Sequence, residues 1–193
     1  VNAQPWDNLK FDETIIKEIQ RKFFGTIYNT YSFFALYANI DGFSYEEKEI
    51  AIDDRSELDR WILSELNTLV ESVTKSYDNY DPTKAGREIQ DFTINKLSNW
   101  YVRLSRRRFW KGKYELDKIS AYQTLYSCLE KICKLSCPIS PFFFDEIYQN
   151  LKNVGNRSFS KSIHLSDFPK KQTKVIDLAL EEKMRLAQKI TSM

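Results

Sequence analysis

Apolar residues recur along most of this chain at intervals of three and four, the spacing of one face of an α-helix, and few places interrupt them. From about Glu13 to Ala38, Ile16, Ile19, Phe23, Ile27 and Phe34 mark one side of a long helix that Asp12 is suited to cap. Asp41-Gly42 closes it, and Phe43 to Asp54 is a charged connection. Ser56, followed by Asp59, starts a second helix in the manner of a capping box, with an acid other than the usual Glu or Gln. Its stripe of Leu58, Ile62, Leu66, Leu69 and Val73 reaches Tyr77. Asp81-Pro82 gives a third helix its capping acid and first-turn proline; Gly86 is tolerated, and the helix runs to Trp110.

Lys111-Gly112-Lys113 ends that helix, and Asp117 restarts the pattern. Ile119, Tyr122, Leu125, Tyr126, Leu129, Ile132, Cys133 and Leu135 form a stripe so broad that this helix should lie at the centre. Pro138 and Pro141 break it, a fifth helix spans Pro141 to Leu151, and Gly155 to Pro169 reads as irregular or extended chain. A last helix runs from about Val175 to Ile190. The fold expected is all-α, a helical bundle with short extended segments at its edges. Residues 1–12 have no helical period and read as an extended junction handed over from something upstream, leaving 13–193 for the bundle, with its last helix cut at Met193.

Asp91 to Trp110 departs from ordinary amphipathic design. It holds no Gly or Pro and places four Arg and two Trp in its last eleven positions. Wound at about 100° per residue, Ile94, Leu97, Tyr101 and Leu104 share a core face. Lys96, Trp100, Arg103, Arg107 and Trp110 fall opposite, with Asn99 and Arg106 at the edge. Indoles interleaved with guanidinium groups suit a single-stranded nucleic acid, in which a splayed base stacks on a ring while Arg holds its phosphate. The competing reading packs this face on a second helix, the Arg stems lying over apolar neighbours. Asn29 and Phe33, one turn apart, stand off the core side of the first helix in the same ambiguous way.

Composition narrows the field. A chain of 193 residues with 42% hydrophobic and 15% aromatic content fits one folded domain with a full core. Net charge is only +2, so a nucleic-acid surface must come from local segregation, which appears between Arg103 and Lys113. Cys128, Cys133 and Cys137 cannot pair evenly and read as free thiols buried in one helix in a reducing compartment. His164, the one histidine, stands apart from them, which argues against a metal site, and it is read as a structural loop residue. No glycine spacing makes a phosphate-cradling loop, and no run of about twenty apolar residues makes a membrane span. These observations give no catalytic residues and a cytoplasmic location.

Five motifs, in order, carry a resemblance: Pro5–Asp12 (P-W-D-N-L-K-F-D), Tyr28–Asn39 (Y-N-T-Y-S-F-F-A-L-Y-A-N), Leu58–Ser64 (L-D-R-W-I-L-S), Leu97–Trp110 (L-S-N-W-Y-V-R-L-S-R-R-R-F-W) and Ser162–Pro169 (S-I-H-L-S-D-F-P). Together they resemble the region after the catalytic domain of the isoleucyl-tRNA synthetases, which are class I aminoacyl-tRNA synthetases. The R-R-R-F-W ending resembles the branch that includes the eukaryotic cytoplasmic enzymes. The resemblance implies an anticodon-binding helical bundle that holds the anticodon loop of isoleucine tRNA, with the catalytic domain of the same chain as neighbour. The methionine enzymes of the same class read the anticodon partly from the first bundle helix and the far end of the third. By position this implies RNA-binding roles for Asn29, Phe33, Trp100, Arg103, Arg106, Arg107 and Trp110.

The family's ATP-binding signatures, His-x-Gly-His and Lys-Met-Ser-Lys-Ser, are absent, as is an editing domain. The fragment should therefore bind no cofactor and activate no amino acid, with ATP, Mg²⁺ and any zinc belonging to the parent enzyme. Two rivals stand beside this reading. One is a helical interaction module that docks on a protein through the same Trp/Arg face. The other is the equivalent domain of a valine, leucine or methionine enzyme.

Overall fold

The structure is a computed structural model that describes residues 12–111, 113–154 and 160–191. The expected junction over 1–12 lies outside the described residues except for Asp12, whose carboxylate accepts the Thr14 N–H at 2.8 Å and caps the first helix. Eight α-helical segments and two π-helical ones make up six rods, and there is no strand among the described residues. The first rod joins α1 (Glu13–Ile19) through a π-helical turn (Gln20–Phe24) to α2 (Gly25–Asp41). It ends where Gly42 takes φ +69°, so that the N–H groups of Gly42 and Phe43 both reach the Ala38 carbonyl. Helix α1 stands largely exposed, Ile16 included, so the buried side of the rod begins one turn later than its pattern implies.

α3 (Glu57–Asp78) starts on Ser56, whose hydroxyl accepts the Asp59 N–H at 3.2 Å. The reciprocal half of a capping box is not made, because the Asp59 side chain turns fully inward. The third rod runs through α4 (Pro82–Asp91), a π-helical stretch (Phe92–Val102) and α5 (Arg103–Trp110). α6 (Leu116–Ser136), α7 (Pro141–Lys152) and α8 (Leu178–Thr191) complete the bundle. α8 begins three residues later than its apolar pattern, since Asp177 caps it by accepting the Leu180 N–H.

α3 and α6 form the centre, packing on each other and on most of the remaining helices. Ile19 and Phe23 lie beside Gly86 and Ile89, while Phe33 meets Phe109 with ring centroids 5.1 Å apart, so the first and third rods run in the same direction. Phe34, Phe43, Phe109 and Tyr122 build an aromatic column in the core. Cys128 and Cys133 are buried and Cys137 half-buried, all three free; burial pushes the Cys128 thiol up to about 12. Arg55 secures the connection after α2 by hydrogen bonds to the Ile50 carbonyl and to Thr124 of α6. The segment before α8 is tied down in turn. Asp145 accepts the Ile163 N–H, Asn67 the Gln172 N–H and Ser64 the Asp177 N–H, while His164 sits exposed in a short turn.

Candidate nucleic-acid interface

The third rod does not wind as an α-helix throughout. From Ile89 onward its buried residues include a stripe four apart, Ile89, Thr93, Leu97, Tyr101, Ser105 and Phe109, with Phe92 and Val102 buried beside it. On an α-helix each step of four overshoots a turn by about 40°, so such a stripe would spiral away from the core. A π-helix takes more residues per turn, and the stretch from Phe92 to Val102 holds the stripe in register. Leu104 is accordingly not a core residue as uniform winding predicts; it is 54% exposed, and its expected place is taken by Ser105.

The same underwinding aligns a solvent-facing stripe of Asp91, Asn95, Asn99, Arg103 and Arg107. Arg106 is also exposed, and Trp110 is 49% exposed at the end of the rod. Arg103, Arg106 and Arg107 make no ion pair or hydrogen bond through their side chains among the described residues. Uncompensated guanidinium groups this close together create a local positive potential that the nearly neutral whole does not have.

Arg108 belongs to the interior. It donates to both carboxylate oxygens of Asp59, at 2.8 and 2.7 Å, and continues to Asp117. Tyr101 Oη and Ser120 Oγ also donate to Asp59, at 2.6 and 2.9 Å. Four donors thus satisfy a carboxylate that has no exposed surface. Burial raises the Asp59 pKa, but the Arg108 guanidinium and the two hydroxyls outweigh it and hold the carboxyl below its ordinary value. The Tyr101 phenol is pushed far up by burial and by that carboxylate.

Trp100 is half-buried and packs against the core, so one of the two indoles does have a core to fill. Its remaining surface, with Asn99, Arg103 and Leu104, lines an open cleft of about 620 Å³ whose far wall is Gln188 and Thr191 of α8. Phe33 is also half-buried, between Tyr37 and Phe109. Asn29 is exposed one turn before it on α2. The predicted residues therefore divide. Trp100 and Arg103 open toward α8, Phe33 lies against the last turn of α5, and Arg106, Arg107 and Trp110 project to solvent from that same helix. The helical periodicity does not disclose the contribution of α8. Its only trace in the sequence is a polar Gln188 one turn beyond Met184, a partner of the core.

Among the described residues no three His, Cys, Asp or Glu side chains come together to hold a metal ion, and no helix is long and apolar enough to cross a membrane. Residues 59–193 match the family model described as the anticodon-binding domain of tRNA ligase. The isoleucine--tRNA ligase of Bacteroides thetaiotaomicron is 58% identical over 192 residues, covering 100% of this chain and 16% of the relative. That of Cytophaga hutchinsonii is 57% identical over 192 residues, with 100% and 17% covered. That of Clostridium novyi is 44% identical over 191 residues, with 99% and 18% covered. The chain thus spans less than a fifth of the length of the curated relatives it matches.

Proposed function

Because this chain belongs to the family of anticodon-binding domains of tRNA ligases, we propose that it holds the anticodon loop of an isoleucine tRNA against α2 and α5. The rest of a longer ligase, its catalytic domain included, joins isoleucine to the other end of that tRNA. The ATP and Mg²⁺ for that step belong to parts of the ligase outside this chain, and the reaction takes place in the cytoplasm. This domain contributes recognition and no catalytic group.

The observation that carries the reading is the set of arginines with no side-chain partner among the described residues, Arg103, Arg106 and Arg107, on one rod with the exposed indole of Trp110. An anticodon is single-stranded and can be unstacked, and aromatic faces beside phosphate-binding cations are the groups that hold such a strand. In this reading Trp110 and Trp100 stack bases, and Phe33 offers the free part of its ring. The three arginines take phosphates, and the Asn29 carboxamide meets a base edge.

The test is binding of the chain to an isoleucine anticodon stem-loop and to one with a scrambled anticodon, at low and then physiological salt. The expected result is a preference for the isoleucine loop that survives the higher salt. Equal binding to both that fades with salt would leave only an arginine patch and overturn the base-reading proposal. Preference for a valine, leucine or methionine loop would reassign the domain, and displacement by none of them would favour a protein partner.

A further inference from the structure

We propose that the cleft between the third rod and α8 is a pocket for one unstacked base of the bound RNA, with Gln188 as a base-contacting residue. This deepens the function proposed above and rests on it. The cleft has the parts that a base and its phosphate require. Trp100 is held from behind by the core, so the remaining surface of its ring is presented without the entropy cost of ordering a free side chain. Leu104, exposed for no packing reason, adds an apolar rim. Arg103 and Asn99 line the same wall and have no side-chain partner among the described residues.

Gln188 makes the cleft more than a gap between helices. Its side-chain nitrogen, Nε2, is shielded from solvent and has no hydrogen-bond partner among the described residues. A shielded amide donor without an acceptor is costly, so an acceptor brought into the cleft by a ligand gains by pairing with it. Turning the carboxamide out toward a base edge breaks no internal hydrogen bond and pairs that donor. A carboxamide presents both a donor and an acceptor, the pattern shown by the edge of an adenine or of another base with adjacent amino and ring-nitrogen groups. Asn99 on the opposite wall offers a second such group. A base seated here lies between amide edges and an indole face, with Arg103 at the height of its phosphate.

The experiment uses isoleucine anticodon stem-loops that carry 2-aminopurine at single loop positions, titrated with the unaltered chain, Gln188→Leu and Gln188→Glu. Gln188→Leu keeps the volume and removes both hydrogen-bonding groups; Gln188→Glu keeps the shape and replaces the donor. Thermal unfolding of each variant checks the fold, and if one of them melts early the other carries the test. The expected result is one loop position whose fluorescence is quenched on binding to the unaltered chain and recovers in both variants. Affinity should fall about tenfold in both variants, and in Gln188→Leu, which alters no charge, the salt dependence should be that of the unaltered chain. If the unaltered chain discriminates between the isoleucine and scrambled loops but no loop position responds to Gln188, the pocket is overturned and the anticodon function stands. If the unaltered chain does not discriminate, both fall.

Discussion

The guanidinium of Arg108 meets the carboxylate of Asp59 in a two-pronged contact, at 2.8 and 2.7 Å, and this pair separates one arginine of the basic run from its neighbours. Asp59 is fully buried on α3, and the contact ties α3 to α5 and, through Ser120, to α6. Removing Arg108 leaves the buried Asp59 carboxylate without a compensating charge, whereas Arg108 keeps a second carboxylate in Asp117. Arg108→Ala should cost about 3–5 kcal/mol of stability in urea unfolding, whereas Arg107→Ala should cost under about 0.5 kcal/mol. Equal losses from the two would overturn the distinction between a buried Arg108 pair and a solvent-facing Arg107.

The same pair sets a dependence on acidity. Burial alone would raise the Asp59 pKa, yet Arg108, Tyr101 and Ser120 hold it below the ordinary 3.8. An acid whose folded pKa is depressed contributes stability that is complete above its unfolded value and is lost as pH falls through the folded one. Stability should therefore decline as pH drops below about 4. In Asp59→Asn, weaker at neutral pH, that decline should be shallower. Urea midpoints along an acid series measure it, and parallel curves for the two proteins would refute it.

On the proposed RNA face, the ring and the cations should fail differently. Trp110 is half-exposed, so Trp110→Ala should leave the melting temperature nearly unchanged while weakening binding of an isoleucine anticodon stem-loop by about 1–3 kcal/mol. Arg106→Ala and Arg107→Ala should each weaken binding and reduce the salt slope by about one unit for every phosphate that is no longer neutralised. Titrations at several salt concentrations separate the two effects. Trp110→Ala with a changed slope but little weakening at high salt would argue against stacking.

Two glycines of the first rod should respond to alanine with opposite signs. Gly42 has open space around its Cα but takes φ +69°, so Gly42→Ala should cost about 1 kcal/mol through backbone strain alone. Gly25 lies inside the helix with helical dihedrals, and a Cβ there would meet only the Gln20 carbonyl, at an ordinary 3.5 Å. Gly25→Ala should stabilise by about 0.5–1 kcal/mol. Chemical denaturation of both variants is the check.

The rods and their caps are legible in the sequence because their signals are local. Asp12, Ser56 and Asp81 each accept the backbone N–H groups that their positions imply, and Gly42 closes the first rod. What stays hidden in the sequence depends on what lies across a gap. Nothing local distinguishes Arg108 from Arg107, since the difference is a carboxylate forty-nine positions away. Asp59 looks like half of a capping box because no local rule shows a side chain turning inward. Trp100 looks like an indole without a core because uniform winding places it opposite the buried face. The wall formed by α8 is invisible for the same reason as the burial of Asp59, being a neighbour only in space.

The winding itself can be tested with two leucines. Uniform α-helical winding puts Leu97 and Leu104 on one buried face, seven residues and about two turns apart. The π-helical stretch leaves Leu97 with no exposed surface and Leu104 at 54%. Leu97→Ala should then lose about 2–5 kcal/mol, the cost of a cavity in a packed core, while Leu104→Ala stays within about 0.5 kcal/mol of the unaltered chain. A large loss at Leu104 would return the rod to α-helical winding. That would turn Arg103 and Trp100 away from α8 and remove the cleft they line. If Leu104→Ala is silent in stability but weakens RNA binding, the exposed leucine is part of the rim on which a base rests.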